Sequence, residues 1–177
     1  MSIPQTLLGL LDVEPQHGYH LKLRYDALFG GGRSLKFGQV YSTLARLERD
    51  NLVRVVATES ADGPERTLYA LTKSGVGELE SWLSTPLSTS DHAPGELYAK
   101  VTLALLTGRS ADDILDRQRS LYLTRLRELV DIRRNGDISE QLASDYESAH
   151  LKADLDWIEK AGKRLEAWAK ALSDGEL

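Results

Sequence analysis

The sequence predicts a mainly α-helical protein with one small β-hairpin, arranged as a winged helix-turn-helix domain followed by an all-helical region. Two observations carry this prediction. In residues 1–84, three helical segments precede two segments rich in β-branched residues and a fourth helix, which is the element order of a winged helix-turn-helix. After residue 95, apolar residues recur at helical spacing to the end of the sequence.

The first three helices are bounded by residues that start or stop helices. Ser2 can cap the first helix, which has Pro4 in its first turn and is broken by residues 12–16. The second begins near Gly18 and ends at the three glycines of residues 30–32. The third spans about residues 36–51 and carries an apolar stripe that we expect to be buried: Phe37, Val40, Tyr41, Leu44 and Leu47.

A β-hairpin and a fourth helix complete the first domain. Residues 52–71 contain two β-branched segments around the turn sequence SADGPE, which predicts the hairpin. Thr72 is the expected N-cap of the fourth helix. We therefore assign residues 1–86 to the winged helix-turn-helix domain.

A polar linker and long helices make up the rest of the chain. Residues 87–95, rich in Ser, Thr and Pro, are assigned as the linker, and residues 96–177 as the helical domain. Within that domain we expect a short helix closed by Gly108, then a long helix from Ser110 to about Arg134. A second long helix is expected from about Ser139 to Leu172.

Composition excludes several classes of protein. The chain has no cysteine, its N-terminal segment does not resemble a signal peptide, and no window reaches the roughly 20 apolar residues that span a bilayer. We therefore expect a cytoplasmic protein without a membrane partner. The glycine-rich segment 30–38 lacks the phosphate-binding pattern, and His17 and His20 have no evident third ligand. We expect no metal, no cofactor and no enzymatic activity.

Positive charge is concentrated around the third helix. The net charge is −5, yet residues 33–54 contain five basic and two acidic residues. The second face of that helix is polar, with Gln39, Ser42, Thr43 and Arg46 at helical spacing. Such a face is either simply solvated, or it contacts a partner such as DNA.

Three segments resemble the PadR family of bacterial transcriptional regulators. They are LLGLLDVEPQHGYHL, GQVYSTLARLERDNLV and RTLYALTKSGVGELESWL, which together cover about residues 5–83. Late in the chain, LKADLDWIEKAGKRL is similar to a motif on the family's terminal helix. The resemblance implies a homodimeric regulator, most often a repressor, whose C-terminal helices form a dimerisation domain and often respond to small molecules.

With the family in view, the third helix is expected to bind double-stranded operator DNA in the major groove. Gln39, Ser42, Thr43 and Arg46 suit base edges, and Lys36 and Arg49 suit phosphates. Tyr41 matches a family tyrosine that tends to contact the DNA backbone, although its spacing equally suits the edge of the core. Arg66, after the hairpin turn, is either a wing contact or an ordinary exposed charge.

The regulated state is expected to depend on a small, partly apolar, aromatic effector. Trp157 on the terminal helix is our effector-binding candidate, with a helix–helix or dimer interface as the alternative. The alternative function for the whole chain is a winged-helix module that binds another protein without sequence-specific DNA binding.

Overall fold

The computed structural model describes residues 1–31, 34–59, 66–89 and 95–174, with the backbone alone described for Glu59 and Arg66. Within these ranges the chain forms eight helices and three short strands. In chain order they are α1 (Ile3–Val13), β1 (Gln16–His17), α2 (Gly18–Phe29), α3 (Phe37–Arg49), β2 (Val53–Glu59), β3 (Arg66–Leu71), α4 (Lys73–Ser84), α5 (Glu96–Leu106), α6 (Ala111–Asn135), α7 (Ile138–Gly162) and α8 (Leu165–Ser173). The predicted fold class, mainly helical with a small hairpin, is confirmed.

The hairpin is part of a three-stranded antiparallel sheet with strand order β1-β3-β2. The sequence did not predict β1, a two-residue strand in which Gln16 pairs with Tyr69 and His17 with Leu68. The side chain of Gln16 is buried and donates to the carbonyl of Leu10 at 2.9 Å, which ties β1 to α1. The predicted turn, residues 60–65, lies outside the described residues.

Helix ends follow the predicted capping residues at two positions. The hydroxyl of Thr72 accepts a hydrogen bond from the backbone N–H of Gly75 at the start of α4, and that of Ser110 accepts from Asp113 at the start of α6. Ser2 precedes α1, but its hydroxyl donates to the side chain of Gln5 and caps no backbone group. Gly108 follows α5 with φ 68°, as the predicted helix stop requires.

Helix α5 packs directly against α1. An ideal Cβ placed on Gly9 of α1 would lie 2.7 Å from both terminal methyl carbons of Leu103 in α5. The two helices therefore approach so closely that position 9 has no room for a side chain unless Leu103 moves. Through this contact α5 shares one apolar core with the winged domain.

The two long helices α6 and α7 form an antiparallel pair. Arg125 of α6 donates two hydrogen bonds to the carboxylate of Glu147 in α7, at 2.7 and 3.0 Å. Such a two-point contact is stronger and more directional than a single charged hydrogen bond. Burial is the main cause that raises the pKa of the nearby Tyr122 hydroxyl to about 12.

The prediction of one helix from Ser139 to Leu172 is wrong, because the helix is interrupted at Lys163 and Arg164, between α7 and α8. Gly162 weakens the helix just before the break, and the turn carries α8 back towards α5. There Trp168 stacks on Tyr98 with ring centres 5.2 Å apart, and the hydroxyl of Tyr98 donates to the carbonyl of Leu28.

Candidate nucleic-acid interface

Helix α3 has one buried side and a broad exposed side. Its buried residues recur every three or four positions: Val40, Thr43, Leu44 and Leu47. The other residues of the helix are exposed. At 3.6 residues per turn, the positions opposite the buried side are Gly38, Ser42, Ala45 and Arg49.

The exposed side brings together most of the predicted contact residues. The exposed members of that set on or next to α3 are Lys36, Gln39, Tyr41, Ser42, Arg46 and Arg49. By helical periodicity Gln39 and Arg46 follow one edge of the exposed side, and Tyr41 follows the opposite edge. Small side chains occupy the middle of the first turns, so the helix backbone is accessible between longer flanking side chains.

Thr43 does not belong to this exposed side. It is only 3% exposed, so the prediction that it lies on the outer face with Ser42 is wrong. At helical spacing it falls next to Val40 and Leu47, on the side that packs inwards. Its hydroxyl accepts a hydrogen bond from Nη2 of Arg46 at 3.4 Å, so it contacts an exposed residue without being one.

Gln39 is partly occupied within its own helix. Its carboxamide oxygen accepts from the backbone N–H of Lys36 at 3.1 Å, which satisfies one free donor at the start of α3. A two-point contact with adenine needs both the oxygen and the nitrogen of the carboxamide. In this conformation one of the two lone pairs of the Gln39 oxygen is already used, and its nitrogen remains available to a base.

The two arginines of α3 differ in their partners. Within the described part of the chain, the one side-chain hydrogen bond of Arg46 is the long contact with Thr43 given above. Arg49 forms a two-point pair with the neighbouring Asp50, with N···O distances of 2.8 and 3.2 Å. The hydrogen bonds from Arg49 hold the pKa of the Asp50 carboxyl below its usual range. Arg46 is therefore the arginine with more donors free for DNA.

Tyr41 packs against α2 and is also largely exposed. Its ring lies against the backbone of Gly18 at the start of α2, where an added Cβ would come within 2.7 Å of the ring. It is nevertheless 47% exposed. The expectation that Tyr41 is buried is wrong, because the helix edge on which it lies faces the glycine rather than the core.

An exposed aromatic cluster next to α3 was not predicted. Phe37, expected in the buried stripe, is exposed and stacks on Tyr19 of α2 with ring centres 5.7 Å apart. The ammonium group of Lys22 lies 5.3 Å from the centre of the Phe37 ring, a favourable arrangement for a cation. Helical spacing alone cannot separate such an edge position from a buried one.

The sheet supplies the wing. Strand β2 contains a bulge at Val56, because Val55 pairs with Tyr69 while Ala57 pairs with Leu68. Arg54 is exposed on β2. The backbone of Arg66 pairs with that of Glu59 at the far end of the hairpin, but its side chain, like residue 33, lies outside the described set.

An open groove of about 610 Å³ runs beside α3, between that helix and the first residues of the chain. One wall is formed by Met1, Ile3 and Pro4, and the other carries Gln39, Ser42, Thr43 and Arg46. The polar edge of α3 therefore faces an open channel rather than the protein core.

Trp157, the effector candidate, lies in α7 and is half-buried, packed against the edge of the apolar core. It does not line the groove beside α3. Its position agrees with either a helix interface or the rim of a ligand site.

Among the described residues, no three His, Asp or Glu side chains cluster as a metal site, and no described helix is long and apolar enough to cross a membrane.

Solved structures of low similarity include Bacillus subtilis PadR in complex with operator DNA, at 21% identity and TM-score 0.47, with 92% of this chain and 98% of that chain covered. The same protein in complex with p-coumaric acid gives 21% identity and TM-score 0.44, with 93% and 98% covered. These scores are low, so the family assignment rests on the sequence comparisons.

Two curated relatives and one family model match the sequence. The "Probable transcriptional regulator Rv1176c" of Mycobacterium tuberculosis is 32% identical over 119 residues, which are 67% of this chain and 59% of that protein. The "Negative transcriptional regulator PadR" of Bacillus subtilis is 26% identical over 125 residues, 70% of this chain and 69% of that protein. The model of the Transcriptional regulator PadR-like family matches residues 7–81, from α1 to α4. The chain belongs to the PadR-like family of transcriptional regulators.

Proposed function

We propose that the protein is a DNA-binding transcriptional regulator, not an enzyme, and that it acts as a cytoplasmic repressor at an inverted-repeat operator. The observation that carries this proposal is the exposed side of α3, with small residues in its middle and Arg46 at its edge, next to a wing. A helix of this shape can enter the major groove while its buried side stays in the core. The naming of one relative as a negative regulator supports repression.

Retardation of genomic DNA fragments by the purified protein tests the proposal. A DNA-binding regulator binds and retards specific fragments. Its affinity falls steeply as the salt concentration rises, because binding releases counterions from the DNA phosphates. Sequencing of the retained fragments identifies the operator. A protein that retains no fragment at low salt would contradict DNA binding and favour the protein-interaction module.

We further propose that the regulator is a homodimer that contacts DNA with two α3 helices. Ile138, Leu142 and Tyr146 of α7 recur every four residues, and all three are highly exposed. A row of exposed apolar side chains on a helix is typical of an interaction surface, and a second copy of α7 can cover it symmetrically. Two recognition helices would then lie about 34 Å apart, in successive major grooves.

We also propose that a small, partly apolar aromatic effector releases the operator, with Trp157 at its binding site. Only a ligand that binds more tightly to the arrangement unable to bind DNA can shift the equilibrium towards that arrangement and so release the operator. The half-buried ring of Trp157 on α7 offers an apolar surface in the helical domain. Typical couplings of about 1–3 kcal/mol would weaken operator binding by about 5- to 150-fold.

Trp157→Phe tests this assignment once a releasing compound has been found. We expect the variant to bind free operator normally but to need a higher concentration of the compound for release. Trp168→Phe is the matched control, because Trp168 stacks on Tyr98 instead. Release of Trp157→Phe at the parent's concentration would place Trp157 in the packed interface.

A further inference from the structure

The connection after α4 is held down by side chains of the helical domain. Residues 84–87, which we name the strap, leave the end of α4 and run past α5 and α6. Gln118 of α6 is 1% exposed, and its carboxamide binds both backbone groups of Leu87. Its oxygen accepts from the Leu87 N–H at 2.7 Å, and its nitrogen donates to the Leu87 carbonyl at 3.0 Å.

Two further side chains hold the strap. Lys100 of α5 is 2% exposed and donates through Nζ to the carbonyl of Thr85 at 2.5 Å. Its ammonium group also lies 5.1 Å from the centre of the Trp82 ring. Arg117 of α6 reaches the carbonyl of Ser84 at 3.4 Å. Leu87, the first residue of the predicted linker, is therefore held against α6.

Through these contacts the strap connects the winged domain to the long helices. Lys100 fastens the strap to α5, and α5 shares its core with α1 of the winged domain through the close contact at Gly9. Gln118 fastens the same strap to α6, the first of the two long helices. Gln118 therefore lies where the winged domain meets the helical arm that would carry the partner subunit.

We propose that Gln118 is a positioning residue that sets which spacing between operator half-sites the regulator accepts. This rests on the proposed function, because it requires a dimer that binds two half-sites. B-DNA turns once in about 10–10.5 base pairs, so each added base pair rotates one half-site by roughly 35° around the axis. A rigid connection between the winged domain and α6 lets both α3 helices reach their half-sites at only one such rotation. A loosened connection allows several.

The experiment compares three full-length proteins on one set of DNAs. The DNAs carry the identified operator half-site as a single copy, or as inverted repeats whose spacing differs from the natural one by up to three base pairs. The proteins are the parent, Gln118→Met and Gln141→Met. The last is the matched control, because Gln141 donates a similar side-chain hydrogen bond to the carbonyl of Gly136 at the far turn between α6 and α7.

For the parent and Gln141→Met we expect affinity to fall at least tenfold when the spacing changes by one base pair. For Gln118→Met the same change should cost less than threefold, while affinity for the single half-site stays as in the parent. Loss of stability alone would weaken all DNAs together and leave the spacing profile intact. Should Gln118→Met fail to fold, Arg117→Ala is the substitute, because Arg117 is exposed and contacts the same strap.

An unchanged spacing profile in the folded variant would overturn the role of Gln118. A parent that binds none of the DNAs would contradict the proposed function instead, so the two failures are distinguishable. Loss of single half-site binding in Gln118→Met, with the parent intact, would show that Gln118 supports the winged domain itself and would also overturn the proposal.

Discussion

Arg46 and Lys36 provide the most direct test of DNA recognition at the scale of single residues. We expect Arg46→Ala to cost about 1–3 kcal/mol at the cognate site and to relax specificity there, because its free donors suit a guanine edge. Lys36→Ala should weaken all DNA about equally and lower the salt dependence by about one unit. Binding titrations on cognate and scrambled duplexes at several salt concentrations measure both effects.

Arg119→Ala is the charge-matched control for these variants, since Arg119 is exposed on α6. It should leave operator affinity nearly unchanged. An Arg46→Ala variant that keeps full affinity and specificity would contradict the assignment of α3 as the recognition helix.

Lys100 gives the chain a pH-dependent stability. Burial is the main cause that lowers its pKa from 10.5 to about 8, and the nearby Glu96 only partly opposes this. Between pH 8 and 10.5 the unfolded chain binds a proton at Lys100 that the folded chain lacks, so the free energy of unfolding rises with pH over this range. The complete effect is about 3 kcal/mol.

The measurement is chemical denaturation of the parent and Lys100→Met from pH 7.5 to 10.5. The comparison removes the contributions of other groups, because both proteins share them. We expect the parent to gain stability relative to the variant as pH rises. A constant difference across the range would show that Lys100 keeps an ordinary pKa in the folded protein.

At the scale of elements, the C-terminal end of α3 depends on Asn51. Asn51 has φ 56°, while its N–H donates to the carbonyl of Glu48 and that of Leu52 donates to Leu47, which together form a Schellman motif. Glycine adopts this conformation without steric cost. We expect Asn51→Gly to stabilise the fold and Asn51→Ala to destabilise it, each by about 0.5–1 kcal/mol. Thermal unfolding measures both effects. A lower melting temperature for Asn51→Gly than for the parent, or a higher one for Asn51→Ala, would contradict this account.

The elements show how far the sequence could predict the structure. Residues with strong local preferences, such as Thr72, Ser110 and Gly108, marked helix ends correctly because capping depends on a few neighbouring backbone groups. The strand β1 and the break before α8 were missed, since both depend on distant partners. Strand β1 forms because Gln16 pairs with Tyr69, and α8 is held in place where Trp168 stacks on Tyr98. The spacing of neighbouring residues in the sequence indicates neither contact.

The candidate interface shows the same division. Helical periodicity correctly separated Val40 and Leu44, which are buried, from Ser42 and Arg46, which are exposed. It failed for Phe37, Tyr41 and Thr43, which lie near the boundary between the sides, where the packing of neighbouring elements decides exposure. The roles of individual residues in DNA and effector binding stay predictions.

At the scale of the whole molecule, the apolar row on α7 tests the dimer. Leu142 is 65% exposed, so Leu142→Glu should leave the single chain folded. In a dimer that buries this row it places two carboxylates in an apolar interface, which is strongly unfavourable. We expect analytical ultracentrifugation to show a monomer, and operator affinity to fall because the second half-site no longer adds effective concentration.

Val13→Glu is the control for this prediction, because Val13 is an exposed aliphatic residue at the end of α1. That variant should sediment like the parent. A Leu142→Glu protein that remains a stable dimer would place the subunit interface elsewhere on the chain.

The close contact between Gly9 and Leu103 has a consequence for how such a chain can diverge. Since a Cβ at position 9 would meet both methyl groups of Leu103, position 9 can gain a side chain without strain only if Leu103 moves or becomes smaller. A smaller residue at position 103 would make room for a side chain at position 9, so the change at position 9 is better tolerated once position 103 has become smaller. We therefore expect the two positions, 94 residues apart in the chain, to covary in volume among descendants.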